Sequence, residues 1–110
     1  MSGRQKGQTV EIASGETDSE VIRAGQAVPV GIYLPAAFTG TSISFTASDS
    51  GTGTFAPVID STGAVSIDVS AGDYVSLPPA LLAGCHYIKI VSGSSEAAAR
   101  SLEVVSRSID

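Results

Sequence analysis

Thr41-Ser42-Ile43-Ser44-Phe45-Thr46-Ala47-Ser48-Asp49-Ser50-Gly51-Thr52-Gly53-Thr54-Phe55-Ala56-Pro57-Val58-Ile59-Asp60 joins two apolar, β-rich runs through a cluster of Ser, Asp, Gly and Thr. Ile43, Phe45 and Ala47 alternate with Ser42, Ser44 and Thr46, so an extended chain places the apolar set on one face and the hydroxyls on the other. Asp49 to Gly53 supplies residues that tolerate positive φ or bond their own backbone, which predicts a chain reversal and hence a hairpin. The returning run carries Phe55, Val58 and Ile59. Pro57 interrupts it, and because proline cannot donate to a ladder, that strand is expected at a sheet edge or a bulge.

The same alternation recurs on both sides of this hairpin. Upstream, strands are predicted over Gln8 to Ala13, Glu20 to Ala24 and Ala27 to Leu34, the last with Val28, Val30, Ile32 and Leu34 on one face. Downstream, Val65, Ile67 and Val69 alternate with Ser66, Asp68 and Ser70. Tyr74 to Leu77, Cys85 to Val91 and Ala99 to Arg107 follow as strands. Within Cys85 to Val91, parity separates His86, Ile88 and Ile90 from Cys85, Tyr87, Lys89 and Val91 without saying which set is inside. Pro35 to Gly40 and Pro78 to Gly84 each run from proline through small residues and a bulky apolar one to glycine. They are expected to form single helical turns, the first tucking Phe38 under the sheet. Ser94 to Arg100, with three alanines, is a further place for a brief helix. About eight or nine short strands, with turn signals about every ten residues, make the fold all-β, a β-sandwich or small barrel.

At 110 residues the chain holds one core. We divide it into a flexible N-terminal arm, residues 1–7, and a β domain, residues 8–110. Only 15% of residues are charged and 12 are glycine, so the surface must be built largely from Ser, Thr, Gly and Ala and packs by shape more than by charge. Formal net charge is -5, and no Lys or Arg occurs between Arg23 and Lys89. A basic stripe for phosphates is therefore missing, and nucleic acid is not expected as a partner. The basic concentration is Arg4 and Lys6, in the arm. No run approaches the roughly 18 apolar residues of a membrane span, and no apolar signal core opens the chain. The expectation is a soluble protein with no membrane partner. Cys85 is the sole cysteine, which excludes an internal disulfide and fits a reducing compartment.

The residues that could carry catalysis are few. His86, the only histidine, neighbours Cys85, but adjacent strand residues point to opposite faces, so the two cannot form a nucleophile–base pair. His86 is expected to be a half-buried structural residue. Asp49 and Asp60 contribute one carboxylate per loop, short of a hard-cation site, and are expected to be turn-forming. No glycine pattern cradles phosphate and no Gly-x-Ser-x-Gly elbow occurs. The reading is a non-enzymatic protein with no cofactor and no metal.

Three stretches together carry a resemblance: Leu34 to Phe45, Phe55 to Gly63, and Leu77 to Gly93, the last reading Leu-Pro-Pro-Ala-Leu-Leu-Ala-Gly-Cys-His-Tyr-Ile-Lys-Ile-Val-Ser-Gly. This pattern resembles small structural proteins of tailed bacteriophages. The resemblance implies a jelly-roll-like β-sandwich in the virion, set on the outside of the capsid shell as a decoration or cement protein. It further implies a homo-oligomer whose partner is the major capsid protein, with no catalytic motif to carry over. Arg4, Lys6 and Gln8 are the candidate protein-interaction residues, the arm meeting acidic capsid surface and ordering there. Alternatives are a neck, tail or baseplate structural protein, or a carbohydrate-binding module with an aromatic platform from Tyr33, Tyr74 or Tyr87.

Overall fold

Alternating sequence becomes two facing antiparallel sheets. The structure is a computed structural model that describes residues 5–24, 27–60, 63–78, 81–82 and 85–108. Its strands are β1 (Gln5–Ile12), β2 (Ile22–Arg23), β3 (Ala27–Tyr33), β4 (Ser42–Ser48), β5 (Ala56–Pro57), β6 (Ile59–Asp60), β7 (Gly63–Ala64), β8 (Ser66–Asp68), β9 (Tyr74–Ser76), β10 (Tyr87–Ser92) and β11 (Arg100–Ser108). One sheet has the order β1-β11-β3-β9. The other has the order β2-β10-β4-β5, with β8 also on β4, and β6-β7 forms a separate hairpin. If the short strands on β4 count as one position, the chain crosses between sheets in the double-Greek-key order of a jelly roll. The last strand lies between the first and third, and β10 lies between β2 and β4.

The core forms where the two inner faces meet. Val10 and Ile12 of β1, Ile32 of β3, and Leu102 and Val104 of β11 face Ile22 of β2, Ile43 and Phe45 of β4, and Ile88 and Ile90 of β10; all are buried. Each such side chain contributes about 1.5–3 kcal/mol through removal from water. The parity question in β10 is settled by this packing: Ile88 and Ile90 are inside, and Tyr87, Lys89 and Val91 lie on the half-exposed outer face.

Pro57 sits in β5, at the edge of its sheet and opposite Thr46 of β4, as its missing N–H requires. The neighbouring end of the same β4 edge is taken by β8, with Ile43 opposite Ile67. The reversal after β4 is held by serine hydroxyls and not by Asp49: Ser50 N–H donates to Ser48 Oγ (3.1 Å) and Thr52 N–H to Ser50 Oγ (3.3 Å). Positive φ is found at Gly15, Gly63 and Gly72 and not at Gly51 or Gly53.

Three expectations need correction. The ladder of β3 against β11 shifts between Val105 and Ser106, which pair with Gly31 and Pro29, so Val30 is an extra residue and only half-buried. A bulge is where a proline such as Pro29 can sit inside an interior strand. The strict alternation through Val30 is thereby broken, while Val28, Ile32 and Leu34 still reach the core. Next, β1 begins at Gln5, earlier than the apolar alternation indicates, and Gln5, Lys6 and Gly7 pair with Arg107, Ser106 and Val105.

Finally, no segment among the described residues is helical. Phe38 N–H donates to Pro35 O (3.1 Å), making Pro35 to Phe38 a turn, although Phe38 is buried as expected. Part of the second proline segment lies outside the described residues; Leu82 in it is fully buried, and Leu81 N–H donates to Pro78 O (3.0 Å). The first segment does not coil because the N–H groups of Thr39 and Gly40 are claimed by Glu96.

Glu96 has no exposed surface. Its Oε1 accepts from Thr39 N–H (3.1 Å), the Thr39 hydroxyl (3.0 Å) and Arg100 Nε–H (2.9 Å). Its Oε2 accepts from Gly40 N–H (3.1 Å) and the Ser92 hydroxyl (3.2 Å). Its own backbone N–H donates to Glu16 O (3.1 Å), and its carbonyl accepts from Gly15 N–H (2.7 Å). One residue thus ties three loops together at one end of the sandwich: β1–β2, β3–β4 and β10–β11. Gly40 is glycine because a Cβ there would overlap the Ser92 hydroxyl.

Burial alone would raise the Glu96 pKa. The donors from the Thr39 backbone, Arg100, the Thr39 hydroxyl and Ser92 outweigh it and hold the carboxyl below the ordinary range. In the unfolded chain a Glu takes up its proton near about 4.3, in the folded chain only at lower pH. The stabilisation is therefore fully present above that range and is lost as pH falls through the folded value. Glu96→Ala, which strands the partly buried Arg100 guanidinium and two N–H groups, should cost about 3–5 kcal/mol at pH 7 in urea unfolding. Glu96→Gln should lower the melting temperature at pH 7 and flatten the loss of stability below about pH 4.3. An unchanged acid slope in Glu96→Gln would show that other carboxyls set it.

Candidate functional site

The most prominent side-chain constellation on the outer surface is aromatic. Tyr33, the last residue of β3, is in cross-strand register with Tyr74, the first residue of β9. Their neighbours Ile32 and Val75 point into the core, so both rings stand on the outer face of the first sheet, 53% and 47% exposed. The ring centroids are 4.4 Å apart with planes at 50°, a tilted contact of the kind aromatic quadrupoles favour. Gly31 makes the arrangement: a Cβ there would collide with the Tyr74 hydroxyl and ring, so Tyr74 lies flat across its neighbour strand. The small residue at 31 thus seats Tyr74 and does not leave open space for an incoming surface.

Two hydrogen bonds hold the ledge in place. Asp73 Oδ2 accepts from Ser70 N–H (2.8 Å), closing the turn before β9, and Leu34 N–H donates to Asp73 O (2.9 Å). Glu103 of β11 pairs with Tyr33, but its carboxylate reaches toward Gly7 of β1, on the side away from the rings.

On the other sheet Lys89 Nζ sits 4.6 Å from the Phe55 ring centroid, so that cation is engaged with an aromatic face. Tyr87 is half-buried beside Gly51. It does not join the tyrosine pair, which lies on the opposite sheet. Ile59, 68% exposed on the β6–β7 hairpin, is the other large exposed apolar side chain among the described residues.

His86 is exposed, not half-buried as the sequence implied, because it precedes the ladder of β10. It lines an open cleft of about 270 Å³ with Cys85, Ala47, Ser48, Asp49 and Thr54. Cys85 packs against the core, and burial pushes its thiol up, away from the nucleophilic thiolate. Among the described residues no group of three or more His, Cys, Asp or Glu is placed to hold a metal ion. Glu96 is no free acid or base either, since its oxygens are filled by five donors.

Of the candidate interaction residues, Arg4 lies outside the described residues. Lys6 and Gln8 are on β1, opposite Ser106 and Val104, and Gln8 is exposed. The tyrosine pair is what sequence reasoning could not assemble. Each tyrosine is recognisable in the sequence as a platform candidate, but their contact depends on the β3–β9 register, across some forty residues of chain. The signal that points to it is Gly31 two residues before Tyr33, a space that an aromatic neighbour fills.

The fold has a structural counterpart. The SPBc2 prophage-derived protein YomS superposes with a TM-score of 0.64 over 96% of this chain and 95% of that chain, at 14% sequence identity. Comparisons with family models and with curated protein sequences find no match.

Gly31→Ala should dislodge Tyr74 while changing stability by no more than about 1 kcal/mol, since the half-exposed ring can swing into solvent. The near-UV circular dichroism of the tyrosines should fall as it does in Tyr74→Ala. An unchanged tyrosine spectrum would mean that the rings are not packed on each other.

Proposed function

We propose that this chain is a non-enzymatic structural protein of a bacteriophage particle. It sits on the outside of the capsid shell as a homo-oligomeric decoration or cement protein whose partner is the major capsid protein. The observation that carries the reading is the fold shared, over nearly the full length of both chains, with a prophage-derived protein. The architecture suits such a role, because two short sheets closed over one core, with loops pinned by Glu96, make a rigid body that keeps its shape against a curved lattice. Attachment uses the basic N-terminal segment, where Arg4 and Lys6 meet acidic shell surface.

The deciding measurement is copy number in purified particles, by quantitative mass spectrometry against the most abundant shell protein. A decoration role requires copies on the order of the shell subunits, and a dozen or so moves the protein to the neck, tail or baseplate. Reversing Arg4 and Lys6 together to Glu should weaken shell binding in a sedimentation assay at least about tenfold, with a smaller effect at high salt. Unchanged binding would remove that segment from the interface.

The tyrosine ledge supports a second reading, a carbohydrate-binding module. Two exposed, tilted rings offer stacking faces to a saccharide. A glycan array read with the wild type and with Gly31→Ala tests it: binding that the variant loses favours the module, and an empty array excludes it.

A further inference from the structure

We infer that two copies of this chain join edge to edge through β1, across a two-fold axis at Gly7, into one continuous eight-stranded sheet. This inference deepens the homo-oligomeric part of the proposed function, and its test does not require a particle.

The edge is identified by its hydrogen bonds. Glu11 N–H donates to Glu20 Oε1 (2.9 Å) and its carbonyl accepts from Glu20 N–H (3.0 Å), so both backbone groups of Glu11 point away from β11. In an antiparallel ladder that direction repeats every second residue. The N–H and C=O groups of Gln5, Gly7 and Thr9 therefore also point outward, and nothing among the described residues takes them. The other sheet edges are two- and three-residue strands, which is how natural proteins blunt an edge. β1 has eight residues and is left open over its first half.

The occupant follows from register and charge. A two-fold places outward residues opposite outward residues only when the paired numbers sum to an even value. A sum of 16 would need the edge of Glu11, which Glu20 already occupies. A sum of 12 sets Lys6 directly against its own copy, a like-charge pair. A sum of 14 pairs Gly7 with Gly7 and Gln5 with Thr9, uses all three open residues for about six inter-chain hydrogen bonds, and sets Lys6 across from Gln8. The same pairing runs the end of the ladder bearing Lys6 and Arg107 toward the partner's end bearing Glu11 and Glu20. The edge is thus self-complementary in hydrogen bonding.

Sedimentation of the full chain across the micromolar range tests this. The wild type should be a reversible dimer, and Thr9→Pro, which deletes an outward N–H and leaves the β1–β11 bonds intact, should weaken dimerisation about a hundredfold. A second measurement stands even if that variant fails to fold. In a Cys85→Ser background, Gly7→Cys should cross-link to a covalent dimer on oxidation, because paired Cα atoms lie about 5.5 Å apart. Thr9→Cys should not cross-link, since its own copy lies several residues away along the strand. A wild type that stays monomeric throughout overturns the inference and makes Lys6 an edge guard. A dimer that cross-links at 9 and not at 7, or that survives Thr9→Pro, overturns the register and the edge. Loss of shell binding by an intact dimer would count against the decoration role alone.

Discussion

A carboxylate in the interior of an 11.1 kDa protein needs every lone pair occupied, and Glu96 meets that condition with donors from the β3–β4 loop, the end of β10 and the start of β11. Hydrophobic burial brings the two sheets together but is indifferent to how the connections at their ends run. The Glu96 site is not indifferent. Thr39 and Gly40 must present N–H groups, Ser92 its hydroxyl, and Arg100 its guanidinium, while the backbone on either side of Glu96 is bonded to Gly15 and Glu16. The chain crosses between sheets in all three of the loops tied here, so fixing them together fixes which strand follows which.

Much of the architecture could be read from residue order because period-two alternation is a local property. Ile43 and Phe45, Ile88 and Ile90, and Leu102 and Val104 each announce a buried face within a few residues, and Pro57 announces an edge by what it lacks. What could not be read is whatever depends on partners distant in sequence. The bulge at Val30 answers the β11 register, and the absence of a helical turn after Pro35 answers a carboxylate nearly sixty residues away. Ser92 to Ala98 presents itself as a polar link because one glutamate among serines and alanines carries no signal of burial. The tyrosine ledge was hidden for the same reason, and the exposure of His86 followed from a strand starting two residues later than predicted, at Tyr87 instead of Cys85.

The two outer faces differ in kind. On the second sheet the charged and aromatic groups are matched within the chain, Lys89 to Phe55 and Tyr87 to the loop at Gly51. On the first, Tyr33 and Tyr74 satisfy each other only in part and keep about half of their surface in water. A low-charge surface of Ser, Thr and Gly leaves few places where binding energy can concentrate, and aromatic residues are where interfaces usually concentrate it.

The pairing of the first strand with the last has a consequence for how the protein is made. β1 leaves the ribosome before the other strands, yet its ladder partner β11 comprises residues 100–108, so Val10 and Ile12 have no sheet to join until β11 has followed. Contacts of that sequence separation are slow to form, and an N-terminal apolar strand held waiting is a strand open to wrong pairing. The first half of that strand, Gln5-Lys6-Gly7-Gln8, carries no large apolar side chain, so the exposed apolar surface is confined to Val10 and Ile12. Closure of the first sheet is thereby deferred until β11 has emerged, and a nascent chain cut short before β11 lacks the strand that joins β1 to β3.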